Sequence, residues 1–150
     1  MENLEAIIAA HPFVQGLSPA HVQSLCEYAM LSDFAAGETI FRQGDPANRF
    51  YLILSGTVAL EARGAESSPT LLQEIGAGDV LGWSWLFPPD YWNFEARARE
   101  PVKAVFFYGT RLRENCEVDH HLGYELMKRM AQIVIDRLQT ARKKLVRQHT

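Results

Sequence analysis

"FAAGETIFRQGDPANRFYLILSGTVAL", residues 34–60, decides how this chain folds. Gly37, Gly44 and Gly56 break it into short runs rich in β-branched, aromatic and aliphatic residues. The runs at 39–43, 50–54 and 57–62 are too short to hold a helix and long enough for strands. Gly44 and Gly56 stand where tight turns call for a left-handed backbone. The punctuation continues through Gly64, Gly76, Gly78 and Gly82, with further strand-like runs at 71–75, 94–98 and 102–108. Short strands at even spacing with glycine turns predict a sandwich or jelly-roll barrel.

Helical signals flank this region. Residues 4–10 read as a short helix ending before His11-Pro12. Ser18 followed by Pro19 is an N-cap and first-turn signal, and Val22, Leu25, Cys26 and Ala29 carry a helical stripe to about Met30. After Tyr108, Thr110 is placed to cap a short helix to about Cys116, and Asp119 to cap a second one running almost to the C-terminus. In that last helix Met127, Ala131, Val134, Leu138, Ala141 and Leu145 are spaced alternately by four and three, a heptad seam. Leu122, Leu126, Met130 and Ile133 form a second, adjoining stripe. One stripe can pack on the β domain and the other on a second chain, so the seam predicts a homodimer. At 1.5 Å per residue the helix spans roughly 40 Å, long for a small barrel to cover. Its basic end, Arg137, Arg142, Lys143, Lys144 and Arg147, reads as a solvated face complementing the helix dipole. The expected organisation is a single domain, 1–150, mainly β with flanking helices. It divides into N-terminal helices (1–31), a double-stranded β-helix or jelly-roll barrel (32–108) and C-terminal helices including a long one (109–150).

Bulk properties narrow the function. The chain has 150 residues, 47% hydrophobic and 22% charged, an ordinary globular composition. A net charge of −3 argues against nucleic-acid binding by this chain alone. No run of about 18 apolar residues is present, so no membrane span is expected. The N-terminus has acids where a signal peptide has basic residues. Cys26 and Cys116 have no metal-ligand spacing and suit a reduced, cytoplasmic setting.

The order of helices, glycine-punctuated strands, then a short and a long helix resembles the cyclic-nucleotide-binding domain of the catabolite activator and fumarate-nitrate regulator superfamily. Residues 34–60 resemble its first strands, and "LGYELMKRMAQIVIDRLQ", 122–139, the start of its dimer helix. "IGAGDVLGW", 75–83, is similar to the Gly-Asp-x-hydrophobic-Gly opening of its phosphate-binding cassette. The resemblance implies a non-catalytic sensor that signals by repositioning its long helix.

The cassette departs from the family at the positions that matter. Members that bind cyclic nucleotides resemble Phe-Gly-Glu-hydrophobic-Ala, then a short loop, then Arg-Ser/Thr/Ala-Ala. The Glu accepts from the ribose 2′-hydroxyl and the Arg pairs with the cyclic phosphate. Here the stretch is "GWSWLFPPDYW", residues 82–92, which contains all three tryptophans of the chain. Gly82 is kept, Trp83 takes the Glu position, and Ser84 and Trp85 follow. The Arg position falls at Trp92, or at Asn93 if the loop shifts by one. A buried charge left unpaired costs about 3–5 kcal/mol, roughly three decades of affinity. Backbone amides after Gly82, if they open a helix, and the Ser84 hydroxyl would recover part of this. Arg97 and Arg99 share one face of the next strand and Ala96 and Ala98 the other; small alanines suit a crowded interior, so the arginines are expected to face outward. Cyclic AMP and cyclic GMP are therefore expected to bind weakly or not at all. Gly82, Trp83, Ser84, Trp85, Trp92 and Asn93 are the candidate ligand-binding residues. The aromatics could fill the former nucleotide site, line a pocket for an apolar or planar small-molecule effector, or form a patch for a protein partner.

Other classes find less support. A cupin-type enzyme needs several His and a carboxylate pointing into its barrel. The five histidines, His11, His21, His120, His121 and His149, all lie outside the predicted strands. His120-His121 are adjacent at a helix start and do not face one site. No nucleophile elbow, P-loop or metal signature occurs, and two cysteines cannot supply the four thiolates of a typical iron–sulfur cluster. No catalytic residue, metal or cofactor is expected. The family's regulators carry a helix-turn-helix domain after the long helix, and Thr150 falls where it would begin. The sensor half of a transcription regulator is thus the alternative to a stand-alone module.

Overall fold

The computed structural model describes residues 3–63, 68–82 and 91–148. Helix α1 (Leu4–Ala10) and a 3-10 turn (Pro12–Val14) lead into α2 (Pro19–Cys26). Eight strands follow: β1 (Ala29–Phe34), β2 (Thr39–Phe41), β3 (Arg49–Ser55), β4 (Val58–Ala62), β5 (Thr70–Ile75), β6 (Val80–Leu81), β7 (Glu95–Ala98) and β8 (Val102–Tyr108). Helices α3 (Gly109–Val118) and α4 (His120–Gln148) close the order. The strands form two four-stranded antiparallel sheets, ordered β1-β8-β3-β6 and β2-β7-β4-β5. This is the expected jelly-roll with N-terminal helices and a long C-terminal helix.

Two apolar clusters explain the sequence patterns. β3 and β8 pair with Tyr51 opposite Phe106 and are buried on both faces, so they read as continuous apolar runs rather than alternations. One face, with Phe50, Leu52, Val105 and Phe107, meets the helices; the other, with Tyr51, Ile53, Ala104 and Phe106, lines the space between the sheets. Phe50 stacks on Phe107 with ring centres 4.6 Å apart, and Phe13 packs edge-on to Phe50. α4 contributes Leu122, Leu126 and Met130 to the helix-side cluster. At the α3–α4 turn a Cβ on Gly123 would meet Cys116 Cβ and O at 3.1 Å.

Two of the expected helix caps form. Ser18 Oγ accepts from His21 N, and Asp119 Oδ1 from Leu122 N. Three expectations are corrected. α2 ends at Cys26 rather than near Met30, because Ala29 and Met30 pair with Phe107 and Phe106 in β1. Tyr108, not Thr110, stands at the N-cap of α3 and makes no side-chain capping bond. β6, absent from the expected strands, is two residues long and pairs with Tyr51 and Leu52.

His11 fastens the N-terminus to the barrel. It is buried, and its Nδ1 accepts from Phe13 N at 3.1 Å, so Nε2 carries the proton and donates to Ile53 O at 3.2 Å. Burial lowers its pKa below 6.5, with the bond to Ile53 O and the nearby Asp79 opposing.

Two outcomes follow. Because the folded-state pKa of His11 is depressed, its contribution is complete above the unfolded value of 6.5 and is lost as pH falls below it. The melting temperature of the wild type should therefore fall more steeply between about pH 7 and pH 5 than that of His11→Gln; parallel slopes would remove His11 from the pH dependence. Gly44 and Gly56 both have φ near +90°, but a Cβ on Gly44 meets open space while one on Gly56 lies 2.4 Å from Pro101 O. Gly44→Ala should cost about 1–2 kcal/mol and Gly56→Ala roughly 1–3 kcal/mol more, read as a clearly larger drop in Tm; equal drops would contradict the clash.

Candidate functional site

The candidate site lies where β6 gives way to the cassette and the chain returns ahead of β7. Trp83, Ser84 and Trp85 fall outside the described residues. Gly82, Trp92 and Asn93 fall within them. Asn93 is exposed. Trp92 is 4% exposed and belongs to the cluster between the sheets. Its indole lies flat on Phe41, ring centres 3.7 Å apart and planes 7° apart, and meets Phe94 edge-on at 6.4 Å. A Cβ on Gly82 would come within 2.6 Å of the indole. Gly82 is thus needed for the close approach of Trp92, whatever backbone follows it.

Backbone bonds hold the stack. Trp92 N donates to Asp45 O and Gly44 N to Trp92 O, so the β2–β3 turn and the end of the cassette are joined. Arg49 lies over the Phe106 ring at 4.4 Å and near Tyr108 at 5.6 Å. Burial pushes the Tyr51 hydroxyl pKa up, and the Arg49 guanidinium partly offsets this.

Arg97 and Arg99 do not turn inward. Ala96 and Ala98 fill the interior face of β7, while Arg97 pairs with Glu61 at 2.9 Å and Arg99 with Glu74 at 3.1 Å outside. Glu95, also on that outer face, is held by Arg63 Nε and Nη2, both at 3.3 Å. The arginines nearest the cassette in sequence are therefore engaged on the outer face.

A second feature was not anticipated. The basic end of α4 is not uniformly solvated. Arg137 is largely buried and donates through Nη2 to Val80 O. Burial lowers its pKa to about 10, with Asp79 opposing. Lys144 Nζ donates to Leu71 O at 3.0 Å and reaches Leu72 O at 3.4 Å. Arg137 separates two cavities under α4. One, about 420 Å³, is bordered by Phe13, Asp79, Arg129, Gln132 and Asp136; the other, about 390 Å³, by Leu60, Phe94, Ala141, Lys144 and Leu145. The seven-residue step from Arg137 to Lys144 puts both on one helix face, a signal available in the sequence.

No group of three or more His, Cys, Asp or Glu able to hold a metal ion occurs among the described residues. His120 Nε2 bonds Glu117 O, whereas His121 packs on His21 of α2 with ring centres 4.9 Å apart. Burial raises the pKa of both cysteine thiols, which keeps them protonated. Among the described residues no helix is long and apolar enough to cross a membrane.

Comparison with known proteins agrees with this geometry. Residues 31–119 match the family model for the cyclic nucleotide-binding domain. A CRP-like cAMP-activated global transcriptional regulator of Mycobacterium tuberculosis is 30% identical over 102 residues, 68% of this chain and 46% of that protein. The CRP-like protein Clp of Xanthomonas campestris is 29% identical over 93 residues, 62% of this chain and 34% of its own. The chain spans about half the length of these curated relatives or less. Among solved structures, a cyclic nucleotide-binding family protein from Geobacter metallireducens has a TM-score of 0.81 at 28% identity, covering 91% of this chain and 99% of that one. The catabolite activator protein of Thermus thermophilus has a TM-score of 0.70 at 25% identity, over 89% of this chain and 61% of its own. The barrel topology, the Gly78-Asp79-Val80-Leu81-Gly82 turn into the cassette and the match over residues 31–119 have one explanation: this chain belongs to the cyclic nucleotide-binding domain family, a non-catalytic regulatory family related to the CRP-like regulators.

Proposed function

We propose that the chain is a cytoplasmic, homodimeric sensor module whose cassette no longer holds a cyclic nucleotide tightly. The observation that carries this reading is the Trp92–Phe41 stack. The position expected to pair with a cyclic phosphate carries a neutral indole, and that indole occupies the space between the sheets. A nucleotide entering there must displace about 150–250 Å² of well-packed aromatic surface and leave its phosphate without a guanidinium. Either cost removes useful affinity.

The dimer seam also has structural support. In α4, Met127, Val134, Leu138 and Leu145 are exposed, Leu138 to 64%. With 3.6 residues per turn, the seam is centred about a quarter turn from the face bearing Arg137 and Lys144. One helix can then serve the barrel and a second copy at once. Ala141 and Leu145 border both faces, since they also line the cavity under the helix. An effector acting there would shift α4 relative to its partner.

A second reading is the sensor half of a transcription regulator. The Mycobacterium tuberculosis relative named above is a transcriptional regulator, and the matched part of both curated relatives is less than half their length.

Isothermal titration of cyclic AMP and cyclic GMP into the protein should give dissociation constants weaker than about 100 μM, or no heat; low-micromolar binding of either would overturn the reading. Light scattering should give twice the 17.0 kDa chain mass for the wild type and the single mass for Val134→Glu or Leu138→Glu. An unchanged dimer in both variants would place the interface elsewhere.

A further inference from the structure

Helix α4 exposes more apolar surface than a two-stranded seam needs. The seam itself, Met127 to Leu145, is a narrow stripe of the width that a pair of coiled helices covers. Beside it, on the side away from Arg137 and Lys144, lies a second row. Tyr124, Ile135 and Val146 stand there, exposed to 63%, 49% and 56%. Lys128 and Arg142 interleave with them at steps of four, seven, seven and four, so the five residues share one strip of the helix. None of the three apolar residues belongs to either core cluster. A seam widened by a further row is the face of a bundle helix rather than of a two-stranded coil.

The charges on this side select the occupant. The acids of α4 are Glu125 and Asp136. Glu125 pairs with Lys128 and Arg129, and Asp136 accepts from Gln132. After Asp136 the helix carries Arg137, Arg142, Lys143, Lys144 and Arg147 and no acid. Arg137 and Lys144 are engaged on the barrel through Val80 O and Leu71 O. Arg142 and Lys143 are exposed on the side of the second row, where Arg142 bonds the neutral amide of Gln139 at 3.4 Å. Another copy of α4 laid on this row would set these cations against their own kind, which is unfavourable. A helix with an apolar stripe and flanking carboxylates satisfies both the apolar row and its charges.

We propose that the row Ile135, Arg142 and Val146 docks an acidic amphipathic helix of another protein, its apolar stripe on Ile135 and Val146 and its carboxylates on Arg142 and Lys143. When two copies pair through the seam, the row borders the groove between their helices, and the third helix lies in that groove. The assignment goes beyond the homodimer and stands without it, since a single α4 presents the same row. It also supplies the sensor with an output, because a change in the angle of α4 would open or close the groove that the partner occupies.

The probe is a labelled synthetic peptide of about three heptads with Leu at the a and d positions and Glu at e and g, followed by fluorescence anisotropy as the full chain is added. Two controls accompany it: the same peptide with Lys in place of Glu, and a scrambled Glu peptide whose leucines are out of register. The Glu peptide should bind with a dissociation constant below about 100 μM. It should bind at least about tenfold more tightly than either control, the combined effect of an apolar stripe and a few exposed ion pairs. Raising NaCl from about 0.05 M to about 0.5 M should weaken it, because exposed pairs are screened. Ile135→Glu and Arg142→Glu should each reduce its affinity by about tenfold, and Arg142→Glu should improve binding of the Lys peptide. Both positions are exposed, so neither substitution disturbs the core. Equal binding of the scrambled peptide would reduce the surface to a general polyanion site, and equal binding of the Lys peptide would remove charge selection. Either result, silence up to about 1 mM, or indifference to both variants would overturn the assignment. Light scattering of the same mixtures reads the homodimer separately. A chain that stays dimeric with the peptide bound supports the groove. One that falls to the single mass places the peptide on the seam and overturns its placement beside it. A chain that is monomeric throughout yet binds the Glu peptide removes the homodimer and leaves the row as the docking face.

Discussion

The indole of Trp92 lies 3.7 Å above the Phe41 ring, between the two sheets, and three neighbours depend on it being there. Gly82 has no side chain because the indole occupies the space of a Cβ. Phe94 takes its edge-on position against the same ring. The β2–β3 turn is locked to the end of the cassette by backbone bonds at Gly44 and Asp45 on either side of Trp92. In a small barrel the interior volume is shared between the protein's own side chains and anything it binds. Here a flat, uncharged aromatic pair takes part of that volume.

The consequence passes outward to α4. Its first half packs on the barrel through Leu122, Leu126 and Met130. Arg129 in that half also donates to Phe13 O and Gln15 O, and the second half is held by polar contacts, Arg137 to Val80 O and Lys144 to Leu71 O. Directional bonds of this kind set the position of a helix without the area of a core. They also leave cavities between the contacts, one bordered by Asp79, Asp136 and Arg129 and the other by Lys144, with Arg137 common to both. The helix is therefore attached by apolar packing at one end and by directional polar contacts at the other.

Much of this was legible in residues whose signals are local. Ser18-Pro19 and Asp119 mark helix starts through bonds made within three residues. The glycines at 44 and 56 mark turns because each has positive φ. The outward direction of Arg97 and Arg99 follows from the alternation of β7 against Ala96 and Ala98. What escaped depends on distant partners. Ala29 fits a helical stripe that carries α2 to about Met30, and only pairing with Phe107 and Phe106 of β8, more than 70 residues away, puts Ala29 and Met30 in a strand. The absence of a Glu and an Arg from the cassette was visible; the stacking of Trp92 on Phe41, 51 positions earlier, was not. Arg137 and Lys144 belong to a basic tail whose composition implies a solvated end, because composition does not say which face of a helix meets a sheet.

The central claim, that Trp92 occupies the barrel, is tested most directly by acrylamide quenching of a Trp83→Phe, Trp85→Phe double variant, in which Trp92 is the single remaining tryptophan. The account predicts a quenching constant several-fold below that of free indole and no change on adding millimolar cyclic AMP. Quenching at the rate of exposed indole, or a shift in quenching on adding the nucleotide, would contradict it.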